Sequence, residues 1–294
     1  MDLLRGRLKD VRVDPLEAYG LPSKGDKRLL ALPAQESYYD HILNRCLKYW
    51  SSHIVFNDLD DAFASLVLGD KDASSGLAVD NHQSKEYRCF SLLVQSGFHR
   101  LETIVVQAMR KLREAIVAAH RSDSFAQNAY VFMIRTMILV RHRESYHPAV
   151  LHLLNRMHPS NPLATPVFHE ISSYHILDLA CRQKDINAAL LAKLELSVQD
   201  PKVNQILSAI TRGDWVAFWE VEKSMDAYQT QLVSEASNRM RRHAVESLGK
   251  AYLSADVHYL ERATQMTWGD IQDVYNVQWS LVGNIVTIRQ VKRK

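Results

Sequence analysis

Residues 254–291 read SADVHYLERATQMTWGDIQDVYNVQWSLVGNIVTIRQV, and the pattern changes from helical to strand-like along this stretch. Ser254 to Thr264 and Thr267 to Val277 each open with a hydroxyl residue in an N-cap position and continue with helical spacing. Trp279 to Val291 then places Gly283-Asn284 between β-branched apolar residues, which is typical of a tight hairpin of two short strands. The sequence therefore predicts two short helices followed by a β-hairpin, with strand-like alternation only at this end of the chain.

A long helix is predicted ahead of this segment, from Asp226 to Leu253. Helix, helix, helix, hairpin is the order of elements in a winged helix, and we predict such a domain over residues 239–294. The final helix of a winged helix can lie in a nucleic-acid groove. Here the helix predicted from Thr267 carries Asp270 and Asp273 and no Lys or Arg, which opposes a groove-reading role.

The rest of the chain reads as amphipathic helices with short connections. Such helices cannot bury their apolar faces in isolated pairs, so we expect them to stack. The predicted fold class is all-α: a flexible extension over 1–33, rich in Pro and Gly, a stacked helical-hairpin array over 34–238, and the C-terminal winged helix with its small hairpin. The predicted helices of the array run over 36–52, 86–96, 98–119, 124–141, 148–157, 165–182, 185–194, 201–211 and 215–224, with a loop over 70–84.

Composition limits the classes of protein that fit. The chain has 294 residues, 47% hydrophobic and 23% charged, which is enough for a sizeable core. The sequence lacks an apolar run of membrane-spanning length, and four cations interrupt its first 12 residues, so we expect a soluble intracellular protein without a membrane role. Cys46, Cys89 and Cys181 lie far apart, and we predict that they are small packing residues.

Basic residues concentrate at the C-terminal end. Residues 239–294 contain nine Lys and Arg against five Asp and Glu. Cations at this density could neutralise several phosphates and bind RNA in a salt-dependent, sequence-tolerant way. A solvated helix face and a charged tail explain the same residues, and the sequence leaves both interpretations open. The predicted nucleic-acid-binding residues are Arg239, Arg241, Arg242, Lys250, Arg289, Lys292, Arg293 and Lys294.

No motif for catalysis or metal binding is complete in the sequence. His169-Glu170 begins like H-E-x-x-H, but Ser173 occupies the position of the second histidine, and His175 falls on a different helix face. The glycine-rich phosphate loops and the G-x-S-x-G nucleophile motif are both missing from the sequence. We therefore expect no enzyme activity, no metal and no cofactor. Paired aromatics at Tyr38-Tyr39 and Tyr49-Trp50 could anchor a partner, but their helical spacing favours the core.

Several short motifs between Pro166 and Tyr259 resemble the SAC/GANP family of PCI-domain proteins, and they occur in the family's order. The family's M-C-P signature is absent, and residues 1–160 match its pattern poorly. The matching motifs are HEISSYHILDLA at 169–180, DPKV at 200–203, GDW at 213–215 with Phe218-Trp219, Met225-x-x-Tyr228, and the R-x-A-V…L-x-K-A-Y pattern from Arg242 to Tyr252.

This resemblance implies a non-catalytic scaffold of TREX-type mRNA-export complexes, located in the nucleus and possibly also in the cytoplasm. It implies pairing with a second PCI-domain protein through Trp279, Val282, Ile285 and Ile288, and further partners in RNA and a small acidic DSS/Sem-type protein. A structural subunit of a proteasome-lid, COP9-signalosome or translation-initiation-factor assembly, without a nucleic-acid role, is the alternative. A winged-helix DNA-binding regulator is a third class, which the acidic final helix disfavours.

Overall fold

A computed structural model describes residues 14–51, 81–95 and 103–289. The chain forms two compact units, Met1–Pro162 and Leu163–Lys294. Both units are mostly helical, and the second ends in a three-stranded antiparallel sheet. These features confirm a mostly helical class with a small C-terminal β-element. The division between units falls after Pro162, whereas the sequence predicted boundaries after 33 and after 238.

The first unit is built from helices that pack in sequence order. Helix α1 packs against α2 and α3, α3 contacts α4, and α4 packs against α5. Helix α5 continues into a π-helical turn, Leu153–Met157, and a final turn, His158–Ser160. The bounds are α1 Leu32–Ser51, α2 Asn81–Gln95, α3 Thr103–Ala118, α4 Ser124–Leu139 and α5 Arg143–His152.

Aromatic side chains of α1 lie in the core of this unit. Tyr38, Tyr39 and Trp50 are buried, which confirms the core interpretation for these three residues. The ring of Tyr39 contacts that of Phe132 edge to face at 5.8 Å between centroids. The partner-anchor alternative is therefore wrong for these positions.

Residues 14–31 correct the prediction of an extension over 1–33. They form turns that pack on α1 and α3. Leu16 and Leu29 are buried, and the Tyr38 hydroxyl donates to the Leu16 carbonyl at 2.8 Å. Residues 1–13, the remainder of that prediction, lie outside the described residues, as do residues 70–80 of the predicted loop; its last residues, 81–84, begin α2.

Helix α5 begins five residues earlier than the sequence predicted. Pro148 was expected in the first turn, but it lies inside the helix. Tyr146, Ala149 and Val150 are buried on its inner face, and this burial outweighs the backbone hydrogen bond that Pro148 cannot donate.

Four consecutive helices of the second unit begin where aspartate side chains cap them. Asp185, Asp200, Asp214 and Asp226 each accept a backbone N–H of the first turn, which satisfies donors that have no intrahelical partner. The bounds are α6 Thr165–Leu177, extended by a π-helical turn Asp178–Arg182, then α7 Ile186–Glu195, α8 Pro201–Arg212, α9 Trp215–Glu222 and α10 Ala227–Ala251.

The chain after α10 forms β1 (Ser254–Asp256), α11 (Val257–Thr264), α12 (Trp268–Tyr275), β2 (Ser280–Val282) and β3 (Ile285–Thr287). The sheet order is β1-β3-β2, with both pairs antiparallel. The prediction of a helix from Ser254 is wrong, because residues 254–256 pair with β3 and the Asp256 carboxylate caps α11 instead. A three-residue strand is too short to show alternation in sequence.

The three cysteines are buried, as predicted. Burial raises the pKa of the Cys181 thiol to about 12. Among the described residues, no helix is both long and apolar enough to span a bilayer.

Gly213 supports a tight connection between α8 and α9. Its φ is +68°, and a Cβ there would collide with the His243 ring, approaching Cδ2 at 2.9 Å. His243 in turn packs edge to face on Trp215, at 5.8 Å between ring centroids.

We expect Gly213→Ala to lower the free energy of unfolding by about 1–2 kcal/mol, because strain and collision act together. Gly269→Ala is the matched control, since nothing lies within 4 Å of a Cβ at that helical position. The control should be neutral or slightly stabilising. Urea unfolding of both variants measures the difference, and equal stability of the two would contradict the account.

Candidate functional site

The C-terminal sheet is held by a small core of its own. Leu248 from α10, Leu260 from α11, Ile271 from α12, and Val286 with Ile288 at β3 are all buried in one cluster. Two backbone bonds close the ends of the sheet: Ile288 N–H donates to the Leu253 carbonyl at 2.8 Å, and Val257 N–H donates to the Asn284 carbonyl at 2.9 Å. The outer face of the sheet is therefore presented on a fixed support.

The β2–β3 hairpin carries an exposed apolar surface. Gly283 opens the two-residue loop with φ +61°, which suits the first central position of a type II′ turn, and the predicted Gly283-Asn284 turn is confirmed. Val282 pairs directly with Ile285, so both side chains project from the same face. Val282 is 75% exposed and Ile285 50% exposed. We call Val282 and Ile285 the ribbon patch. The partly exposed Leu281 pairs with the buried Val286 and therefore projects from the opposite face of the sheet.

Strand β2 also offers an unpaired edge. It is the last strand in the order β1-β3-β2, so one row of its backbone groups has no neighbouring strand among the described residues. Its three residues, Ser280 to Val282, are all exposed. Soluble proteins commonly protect such edges with lysine, proline or a bulge, and this strand contains neither lysine nor proline.

The four predicted partner-binding residues divide into three groups. Val282 and Ile285 are exposed in the ribbon patch. Trp279 is half-buried and packs against the C-terminal core, where a Cβ on Gly249 would lie 3.2 Å from its ring. Ile288 is only 7% exposed, so its prediction as a contact residue is corrected: the segment after β3 turns it into the core. Leu281, the neighbour of Val282, was not predicted as a contact residue, and its side chain lies on the opposite face of the strand.

Two of the predicted nucleic-acid-binding arginines hold the fold together. The Arg239 guanidinium donates to the Ala180 carbonyl at 3.2 Å. Arg241 donates through Nε to the Thr264 carbonyl at 3.1 Å and lies over the Trp219 ring, 5.3 Å from its centroid. Trp219 Nε1 donates to the adjacent Ala263 carbonyl at 2.9 Å. Arg241 and Trp219 therefore cap the C-terminal end of α11.

The side chains of the other predicted cations differ in their hydrogen bonding. Arg242 and Lys250 are exposed on α10. Arg289 is exposed as well, but its guanidinium donates to the Lys250 carbonyl and closes the end of α10. Lys292, Arg293 and Lys294 lie outside the described residues. The structure thus leaves Arg242 and Lys250 as exposed side chains without a structural bond in the described residues.

Aromatic and acidic groups surround the exposed face of α10. Arg242 lines a shallow groove of about 400 Å³ with Tyr275 and Trp279. Burial raises the pKa of Tyr275, and Arg241 and Arg242 oppose that rise. Helix α12 places Asp270 and Asp273 on its exposed side, in agreement with the acidic pattern of the sequence.

No family model matches the chain, and no curated protein matches it. Within the described ranges, no group of three or more His, Cys, Asp or Glu side chains could hold a metal ion. The arrangement at the C-terminal sheet is therefore one of contact surfaces, apolar on the ribbon patch and cationic on α10.

Replacing Arg241 and the neighbouring Arg242 in turn distinguishes an arginine that stabilises the fold from one that only lies on the surface. We expect Arg241→Gln to lower the free energy of unfolding by about 1–2 kcal/mol, because it leaves the Thr264 carbonyl without its donor and removes the contact with the Trp219 ring. Arg242→Gln, on the neighbouring exposed position, should change it by less than about 0.5 kcal/mol. Thermal and urea unfolding measure both, and an equal effect would contradict the capping role of Arg241.

Proposed function

We propose that this chain is a non-catalytic scaffold of the PCI type, in which a C-terminal winged helix pairs with a second PCI-domain protein. The observation that carries the proposal is the ribbon patch next to the unprotected edge of β2. Exposed apolar residues beside a free strand edge mark protein-binding sites in soluble proteins. Val282 and Ile285 form the centre of this surface.

The order of elements supports a winged helix. Helix α10, β1, α11, α12, β2 and β3 follow one another, and the sheet order β1-β3-β2 supports an assignment of the hairpin as the wing. Helices α6 to α10 precede this domain without an intervening strand in the described residues. Two motifs of the resemblance also begin helices: Asp200-Pro201 begins α8, and Asp214-Trp215 begins α9.

Pairing through the strand edge would combine two kinds of contact. A partner strand laid along β2 would accept and donate main-chain hydrogen bonds, and pockets for Val282 and Ile285 would select the partner. Because the C-terminal core already holds β3 in place, binding would cost little conformational entropy. By the resemblance, the assembly is an mRNA-export complex in the nucleus, and a small acidic DSS/Sem-type protein belongs to it.

RNA binding is the second part of the proposal, and Arg242 with Lys250 supports it. Both are exposed on the same helix, near the aromatic groove of Tyr275 and Trp279. Arg239 and Arg241 donate hydrogen bonds to carbonyls within the fold, so fewer of the predicted cations are available to contact phosphate. A structural subunit without a nucleic-acid role is therefore the main competitor.

The pairing proposal is tested by Val282→Asp in the full chain, purified from its native cells with quantification of co-purifying proteins. We expect the wild type to co-purify a PCI-domain protein in near-stoichiometric yield. The variant should recover about tenfold less of that protein or even lower amounts, because the substitution places a charge in an apolar contact. Val216→Asp is the matched control, since Val216 is similarly exposed on α9. Loss with both variants, or with neither, contradicts pairing through the ribbon patch.

RNA binding is tested by Arg242→Glu with Lys250→Glu and a single-stranded oligonucleotide over a range of salt. If two phosphate contacts are lost, the slope of log K against log salt should fall in magnitude by about 1.4 while pairing is retained. Lys184→Glu with Lys223→Glu, two exposed lysines elsewhere in the second unit, gives the same change in net charge as the control. Absence of RNA binding in the wild type would establish the competing assembly role.

A further inference from the structure

A cationic groove lies in the first unit, away from the C-terminal residues that the sequence singled out. Two adjoining cavities of about 410 and 310 Å³ share Val117 and His152 as lining residues. One wall comes from α3 and the residues after it, and the other from α5 and its π-helical turn. We call this surface the α3–α5 groove.

The charges of the groove are nearly all positive. Arg110 and Arg113 line one cavity and Arg156 the other. Among the described residues none of these three arginines forms an ion pair with a carboxylate. The one carboxylate of the lining, Glu114, already accepts the Ser23 backbone N–H at 2.6 Å.

A fourth arginine of the lining does not add to this charge. Arg121 is buried and pairs with Glu36 at 2.6 Å and with Asp123 at 2.8 Å. The excess positive charge therefore belongs to the exposed Arg110 and Arg156 and to the partly buried Arg113. The Arg113 guanidinium also donates to the Ser145 carbonyl, which fixes its position at the edge of the groove.

The arginines influence one another and the histidine between them. Burial lowers the pKa of Arg113, and Arg110 lowers it further. Burial also lowers the pKa of His152, and Arg156 and Arg113 add to that effect. Burial is the larger cause of both shifts, and the neighbouring arginines add to it, which is consistent with a net positive charge at the groove that attracts an anion.

A buried hydroxyl provides an independent indication of a ligand. Tyr130 is 0% exposed and lines the same cavity as Arg110 and Arg113, yet its hydroxyl has no hydrogen-bond partner. Its ring packs on His152 at 5.3 Å between centroids. A buried donor without an acceptor is destabilising, and an oxygen of a bound anion would satisfy it.

We propose that the α3–α5 groove binds a phosphoserine or phosphothreonine side chain of a peptide, with Arg110, Arg113 and Arg156 around the phosphate and the Tyr130 hydroxyl donating to it. A phosphate monoester has three strong acceptor oxygens and close to two negative charges, which suits several donors converging from different directions. Exposed Val117 and Pro148 beside the cations provide apolar contacts for neighbouring peptide residues. The lining has no exposed Phe, Tyr or Trp side chain on which bases could stack, which favours a peptide over single-stranded RNA.

The test uses the full chain and a fluorescent, degenerate pool of pentapeptides with a central phosphoserine, measured by anisotropy against the same pool with serine. We expect at least tenfold tighter binding of the phosphorylated pool and displacement by inorganic phosphate at high concentration. Tyr130→Phe removes only the unpartnered hydroxyl, so it should weaken binding about fivefold to tenfold and leave the melting temperature unchanged or slightly raised.

Charge reversal completes the test. Arg110→Glu with Arg156→Glu should weaken binding by more than about 30-fold, whereas Lys24→Glu with Lys48→Glu, two exposed lysines of the same unit, should change it less than about threefold. Equal binding of the two peptide pools would overturn the proposal, and so would full affinity in both groove variants. Preferential displacement of the phosphopeptide by a single-stranded RNA oligonucleotide would assign the groove to nucleic acid instead.

Discussion

Helix α10 is the element on which the second unit depends, because its two halves bury against different partners. The N-terminal half packs against α6 and the π-helical turn that follows it, and the C-terminal half packs against α11. Leu248 near its end joins the same apolar cluster as Val286 of β3. One continuous helix thus connects the helical layer of the unit to the small sheet. The C-terminal end of α11 is fixed to this arrangement by Arg241 and Trp219, so cations and aromatics contribute to the frame as well as to the surface.

Much of this architecture could be predicted from the sequence because it follows from local rules. Aspartates ahead of α7 to α10 cap exposed N–H groups, and Gly213 and Gly283 adopt the backbone conformations that other residues avoid. The start of α5 and strand β1 could not be predicted in the same way. Both depend on burial or pairing with distant segments, which residue spacing within a short window does not reveal.

The surface features divide in the same way: some follow from the local sequence, and others depend on contacts with distant segments. The β-branched residues around Gly283-Asn284 indicated a hairpin, but the register that exposes Ile285 and buries Ile288 depends on contacts with α10 and α11. Likewise, a run of arginines in α10 indicated a charged surface, while the carbonyls that Arg239 and Arg241 reach come from segments distant in sequence. The α3–α5 groove was missed altogether, since Arg113 and Arg156 become neighbours only after the helices pack.

The burial of Cys46, Cys89 and Cys181 has a practical consequence for work with this molecule. The thiolate is the form of cysteine that reacts with thiol-directed reagents. A shielded thiol such as that of Cys181, whose pKa is about 12, contains almost no thiolate near neutral pH. A single cysteine introduced on the surface would therefore accept a maleimide dye or a spin label selectively in the native protein. Distance measurements in solution become possible without first removing the natural cysteines, whose replacement would open cavities in the core.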